Sequence, residues 1–188
     1  KFDSEIRSNT NPNGNFNQKN AENIILNNWN MQFPNKITSS KYMLAFDNFQ
    51  KKNASDGGFK SGPTARQNFT EFLDTLLNSS YAFSEIKDPI SIRRLDDSFG
   101  SATNRLNLSN QLILLNITNV KQFYALYFAL RYCGHSCDII MNYISLVEKT
   151  YVNLLLLAEQ SPAKLESVFS AFAYEIYSGE VEIIELYR

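Results

Sequence analysis

Between Asn119 and Gln160 apolar residues recur at helical spacing with a single interruption, Cys133-Gly134-His135-Ser136-Cys137. In the first run Phe123, Tyr124, Tyr127, Phe128, Leu130 and Tyr132 cover most of a helix circumference, which predicts a helix with partners on several sides. The pattern resumes through Ile139, Ile140, Tyr143, Ile144, Val147, Tyr151, Leu154, Leu155 and Ala158, so the two runs are expected to form a central apolar helix pair around a kink.

The flanking pattern is also helical. Ile24, Ile25, Leu26 and Trp29 share a face over Ala21 to Trp29, and Pro34 stops that helix. Ser39 or Ser40 is placed to cap a second helix reaching Lys52, with Tyr42, Met43, Phe46 and Phe49 as its stripe. Gly57, Gly58 and Gly62 make Asn53 to Gly62 a flexible loop. Pro63 suits the first turn of the next helix, where Phe69, Phe72, Leu73, Leu76 and Leu77 follow the spacing i, i+3, i+4, i+7, i+8. Asp88-Pro89 repeats the cap-then-proline device and predicts a helix through Ile92, Leu95 and Phe99, bending at Gly100. Leu106 to Ile117 suits a buried helix or strand, with its helical neighbours favouring helix. Ser161-Pro162 opens a helix carrying Leu165, Val168, Phe169, Phe172 and Ile176, which Gly179 ends. Glu180 to Arg188 reads as a short helix or an edge strand. Before all of this, residues 1–19 interleave Asn9, Asn11, Asn13, Asn15 and Asn17 with Pro12 and Gly14, too polar to bury. The expected architecture is an all-α, single-domain bundle of about six or seven helices over residues 20–188, preceded by a flexible Asn-rich arm.

Charge narrows the partners. Eighteen basic and 19 acidic residues leave a net charge of −1, which provides no whole-molecule field to attract nucleic acid or anionic lipid. Charged residues such as Lys121, Arg131, Asp138 and Glu148 break the apolar half well before the ~18 residues a membrane span needs. Five sequons, at Asn53, Asn68, Asn78, Asn107 and Asn116, are glycan acceptors in an exported chain. The chain begins at Lys1 instead of Met, as expected after removal of a leader, and trimming of the chain explains the same start. Two cysteines four apart fit one local bridge, Cys133 to Cys137, or two reduced core thiols.

All thiol and imidazole chemistry is confined to that interruption. Cys133, His135, Cys137 and Asp138 are metal-ligating types, but helical geometry does not aim them at one tetrahedron. The spacing is one residue too long for a Cys-x-x-Cys redox pair, and His135 sits poorly for activating either sulfur. Asp96-Asp97 and Glu180 with Glu182 read as solvated carboxylates, and Arg93-Arg94 and Lys51-Lys52 as isolated doublets. No phosphate-binding loop or nucleophile elbow occurs. Fourteen Phe and 10 Tyr remain to be explained, either as core or as the lining of an apolar cavity in which Tyr124, Tyr127, Tyr143 and Tyr151 orient a small ligand.

Residues 64–106 contain Asn68-Phe69-Thr70-Glu71-Phe72-Leu73 followed by Asn78-Ser79-Ser80-Tyr81-Ala82-Phe83-Ser84. This helix-then-Ser-Ala-Phe-turn pattern resembles the helical modules of spider-silk proteins over less than a quarter of the chain, without that family's Ala/Gly/Ser bias. The expected function is that of a secreted, non-enzymatic helical protein without a cofactor, acting through protein partners or self-association as an effector, coat or matrix component. The alternative expectation is a carrier of a small apolar ligand in the tyrosine-lined cavity.

Overall fold

The computed structural model describes residues 18–33, 54–55, 58–59, 63–153 and 161–179, with side-chain surroundings for 19–33, 70–153 and 161–179. Seven helices are described: α1 (Gln18–Gln32), α2 (Pro63–Lys87), a 3₁₀ helix (Pro89–Arg94), α3 (Ala102–Ile117), α4 (Tyr124–Tyr132), α5 (Cys137–Tyr151) and α6 (Pro162–Ser178). The Gly-rich segment expected as a loop carries a two-residue antiparallel pair, β1 (Ala54–Ser55) and β2 (Gly58–Phe59), with Ala54 opposite Phe59. The expected Asn-rich arm, apart from residues 18 and 19 in the first turn of α1, lies outside the described residues. So do the helix expected from Ser40 to Lys52 and the segment 180–188.

The chain forms a compact all-helical domain built as two packed groups. In the first, α4 lies against α1, α2 and α6, and α6 also packs on α1. Residues Tyr124 to Leu130 are all buried, as a helix apolar around its circumference requires. In the second group α3 packs on α5 and on the 3₁₀ helix. The two apolar runs of the expected central pair are therefore divided between the groups: α4 is the enclosed helix, and α5 turns Ile140, Tyr143, Ile144 and Val147 inward with α3 as its main partner.

The separation is set by the backbone. Gly134 takes the left-handed conformation (φ 71), its amide donates to the Arg131 carbonyl, and the His135 amide donates to that of Leu130. These are the two hydrogen bonds of a Schellman stop. The cysteine-histidine interruption thus ends α4 and starts α5 from Ser136, instead of kinking one helix. The same device closes α3, where Asn119 (φ 56) is the left-handed residue and the buried Val120 amide reaches the Leu115 carbonyl at 2.9 Å.

Two more expectations are corrected. The helix from Pro89 stops at Arg94 because Leu95 is extended and the Asp96 carboxylate accepts from the Ser98 amide at 2.8 Å, turning the chain. The Asp88 side chain caps nothing. Residues 78–84, where the resemblance to spider-silk modules implies turns, lie inside the continuous helix α2. There Ser79 donates to Asn28 Oδ1 at 2.8 Å and Gln32 donates to Thr75 at 2.7 Å, a polar seam between α1 and α2.

Candidate functional site

The two cysteines occupy different environments. Cys133 follows the last turn of α4 and its thiol lies 3.6 Å from the Ile176 carbonyl on α6. Cys137 is buried at the first turn of α5, its amide donates to the Phe99 carbonyl at 2.8 Å, and Gly100 packs against its Cβ. The bridge left open by the spacing is not formed, because the helix break turns the sulfurs toward α6 and toward the 99–100 turn respectively; both are free thiols. Burial, with a smaller contribution from the Asp138 carboxylate, pushes the Cys137 thiol up to about 11. Burial also raises Cys133 and lowers His135. At neutral pH the cluster presents protonated thiols and a neutral imidazole, a poor nucleophile set. Among the described residues no group of three or more His, Cys, Asp and Glu is placed to hold a metal ion.

The strongest polar constellation lies one helix turn away. Glu85 of α2 is buried, and Arg131 of α4 clasps it with Nε and Nη2 at 2.9 and 2.8 Å while the Tyr127 hydroxyl donates to Oε2 at 2.9 Å. The same guanidinium stacks on the Phe99 ring, 4.2 Å from its centroid. Burial alone would lower the Arg131 pKa, but the adjacent Glu85 carboxylate outweighs it and the net shift is upward. Tyr127 is pushed well above its ordinary range by burial and then by the Glu85 charge. Every charge here has a partner, so the network ties α2, α4 and the 95–100 turn together and leaves Glu85 occupied instead of poised as a base. A second clasp continues it: the buried Arg105 donates to Asp97 at 2.7 Å and to the Gly100 carbonyl at 2.6 Å.

The four candidate cavity tyrosines sit on two helices with different packing partners. Tyr127 is wholly buried with its hydroxyl used on Glu85, Tyr143 is buried, and Tyr151 is half-buried. Tyr124, raised to about 12 by burial, borders two clefts. One encloses about 280 Å³ among Lys87, Asn116, Asn119, Val120, Lys121 and Tyr124. The other encloses about 130 Å³, shares Lys121 and Tyr124, and adds Asn23, Leu26, Asn27, Gln122 and Glu166. Both linings mix amides and ammonium groups with apolar surface, and the smaller adds the Glu166 carboxylate, so neither is the apolar cavity expected for an apolar ligand.

The sequons fall mostly on helices. Asn78 and Asn107 are exposed, whereas the Asn116 amide donates to the Ile86 carbonyl at 2.5 Å and finishes the end of α2. Asn68 lies in α2 and Asn53 lies outside the described residues.

Comparison with protein-family models, curated proteins and solved structures finds no match to this chain. The Glu85 network and the lysine cleft were not visible in the sequence, since their members are 42 to 46 residues apart for Glu85 with Tyr127 and Arg131. Short-range motif reading has no access to such pairings.

Proposed function

We propose that this chain is a non-enzymatic helical protein that acts through protein contacts, with the outer face of α3 as the contact surface and a second copy of the chain as its occupant. The observation that carries the reading is that face itself. Leu106, Leu114 and Ile117 are 42, 51 and 76 % exposed, and with the half-buried Ile113 they form one stripe along the helix. The only charged residue in α3 is Arg105, which is turned inward onto Asp97 and Gly100. The one cation beside the stripe among the described residues, Arg93 of the 3₁₀ helix, is held by Ser109 Oγ and Asn110 Oδ1 at 3.0 Å each, so a copy meeting this face about a two-fold axis packs chiefly apolar side chains, as an isologous contact allows. The occupied Glu85 and the protonated thiols support the non-enzymatic part.

Export remains part of this proposal and rests on the sequons. With both thiols free, the cysteines no longer favour an oxidising compartment. A glycan on Asn107 would flank the stripe, so the oligomer and that modification compete. The test is light scattering after size exclusion on the wild type and on a Leu114→Lys, Ile117→Lys variant. A concentration-dependent dimer that the variant loses is expected; a wild type monomeric at every accessible concentration contradicts the reading.

A further inference from the structure

The larger cleft carries a charge arrangement that the fold does not need. Lys87 and Lys121 line it together, no carboxylate does, and neither lysine has an ion-pair partner among the described residues. Lys87 taken alone has an ordinary place, because it lies in the last turn of α2, where the negative end of the helix dipole favours a cation. Lys121 has none. It precedes the N-terminus of α4, the positive end of a nine-residue helix without a side-chain cap, and it faces a second ammonium group across the cleft.

Lys87 is also held in place. Its Nζ lies 5.1 Å from the Phe83 ring centre and 5.8 Å from that of Tyr124, cation–π positions that fix the ammonium at the cleft wall. Burial there, and secondly the charge of Lys121, lower its pKa, so the pairing of the two cations carries a cost. The loop bearing Lys121 is fixed by the left-handed Asn119 and by the Asn116 amide bound to Ile86. The site thus brings two ammonium groups together on a rigid frame, and among the described residues these two lysines are its only charged lining.

We propose that this cleft binds a phosphate monoester, the phosphoryl group lying between Lys87 and Lys121 and the rest of the ligand passing over Tyr124 toward the second cleft, where Asn23, Asn27, Gln122 and Glu166 offer polar contacts. A monoester carries about −1.5 to −2 charges at neutral pH, which answers two ammonium groups better than a single carboxylate does. Lysine, a compact point charge, serves phosphate without demanding the planar geometry of an arginine fork. The same group could come from a soluble phosphorylated metabolite or from a lipid headgroup.

The test uses the whole chain, ¹H–¹⁵N NMR, and titration with inorganic phosphate and phenyl phosphate against chloride at equal ionic strength. Saturable shifts confined to the amides near Asn116 to Tyr124 and the end of α2 are expected. The affinity should fall about tenfold or more in Lys87→Gln with Lys121→Gln, since each charged hydrogen bond lost weakens binding by that order. Lys121→Gln alone, at an exposed loop position, keeps the fold and should weaken binding by about tenfold. Cosedimentation with vesicles containing phosphatidic acid separates the sources. Lysine-dependent vesicle binding without a response to the soluble probes assigns the headgroup, and a response to the probes assigns the soluble ester. Shifts that do not saturate, binding unchanged in the double variant, or no response to probes and vesicles alike would overturn the proposal.

Discussion

Replacing Glu85 by Ala removes the acceptor shared by Arg131 and Tyr127 and leaves both donors inside the protein. Breaking a fully buried ion pair by deleting one partner costs ~3–5 kcal/mol. The Arg131 side chain keeps 23 % exposure against 12 % for Glu85, so water recovers part of that cost, and about 2–3 kcal/mol is the appropriate share here. The Tyr127 hydroxyl, in a wholly buried side chain, adds about 1 kcal/mol when left without its acceptor. The total, ~3–4 kcal/mol, corresponds to a fall in melting temperature of roughly 6–16 °C for a chain of this size. Urea unfolding followed by far-UV circular dichroism measures it. Glu85→Gln, which preserves an acceptor for Tyr127 and loses the charge, should fall between. Adding Arg131→Met to Glu85→Ala should recover part of the loss, because the stranded guanidinium is then gone. A cost below about 1 kcal/mol for Glu85→Ala, or no coupling in that cycle, would show that the network does not clamp α2 to α4.

Three further outcomes follow from the turns and the buried acids. Gly100→Ala places a methyl 2.5 Å from the Cys137 Cβ and should destabilise by about 1–3 kcal/mol; Cys137→Gly should relieve only the clash, leaving the backbone cost of φ 159, and Cys137→Ala should relieve nothing, since the obstructing atom is the Cβ. Asn119→Gly should be tolerated while Asn119→Val costs about 1–2 kcal/mol, read by the same unfolding assay, because the residue sits at φ 56. Cys137 holds its proton to about pH 11 in the folded chain and releases it near pH ~8.5 when unfolded, so its contribution is complete below that lower value and is lost as pH rises through the folded one. Stability measured from pH 8 to 11 should therefore decline, and Cys137→Ala should flatten the slope.

The apolar periodicity made most of the fold legible. Helix α6 begins at Pro162 and is stopped at Gly179 (φ 71), where the proline and glycine signals stand in the sequence. Helix α2 runs 25 residues because nothing between Pro63 and Lys87 breaks it; Asn78, Ser79 and Ser80 look like turn residues but bond back to Asp74, across to Asn28 and back to Leu77. The 3₁₀ helix was overextended for the opposite reason, since Ile92, Leu95 and Phe99 keep helical spacing while the Asp96 side chain captures a backbone amide. The candidate site was mostly hidden. The conspicuous cysteines and histidine turned out to occupy a helix stop, and the charged groups that converge come from helices far apart in the chain, a product of packing that no local pattern records.

The location of the self-contact is the central claim, and methyl NMR on a wild-type dilution series tests it most directly. On concentrating the protein, the methyl resonances of Leu106, Ile113, Leu114 and Ile117 should shift together along one binding curve while those of the buried Leu108, Leu112 and Leu115 hold nearly still. Spectra unchanged with concentration, or shifts gathered on another helix, would contradict it.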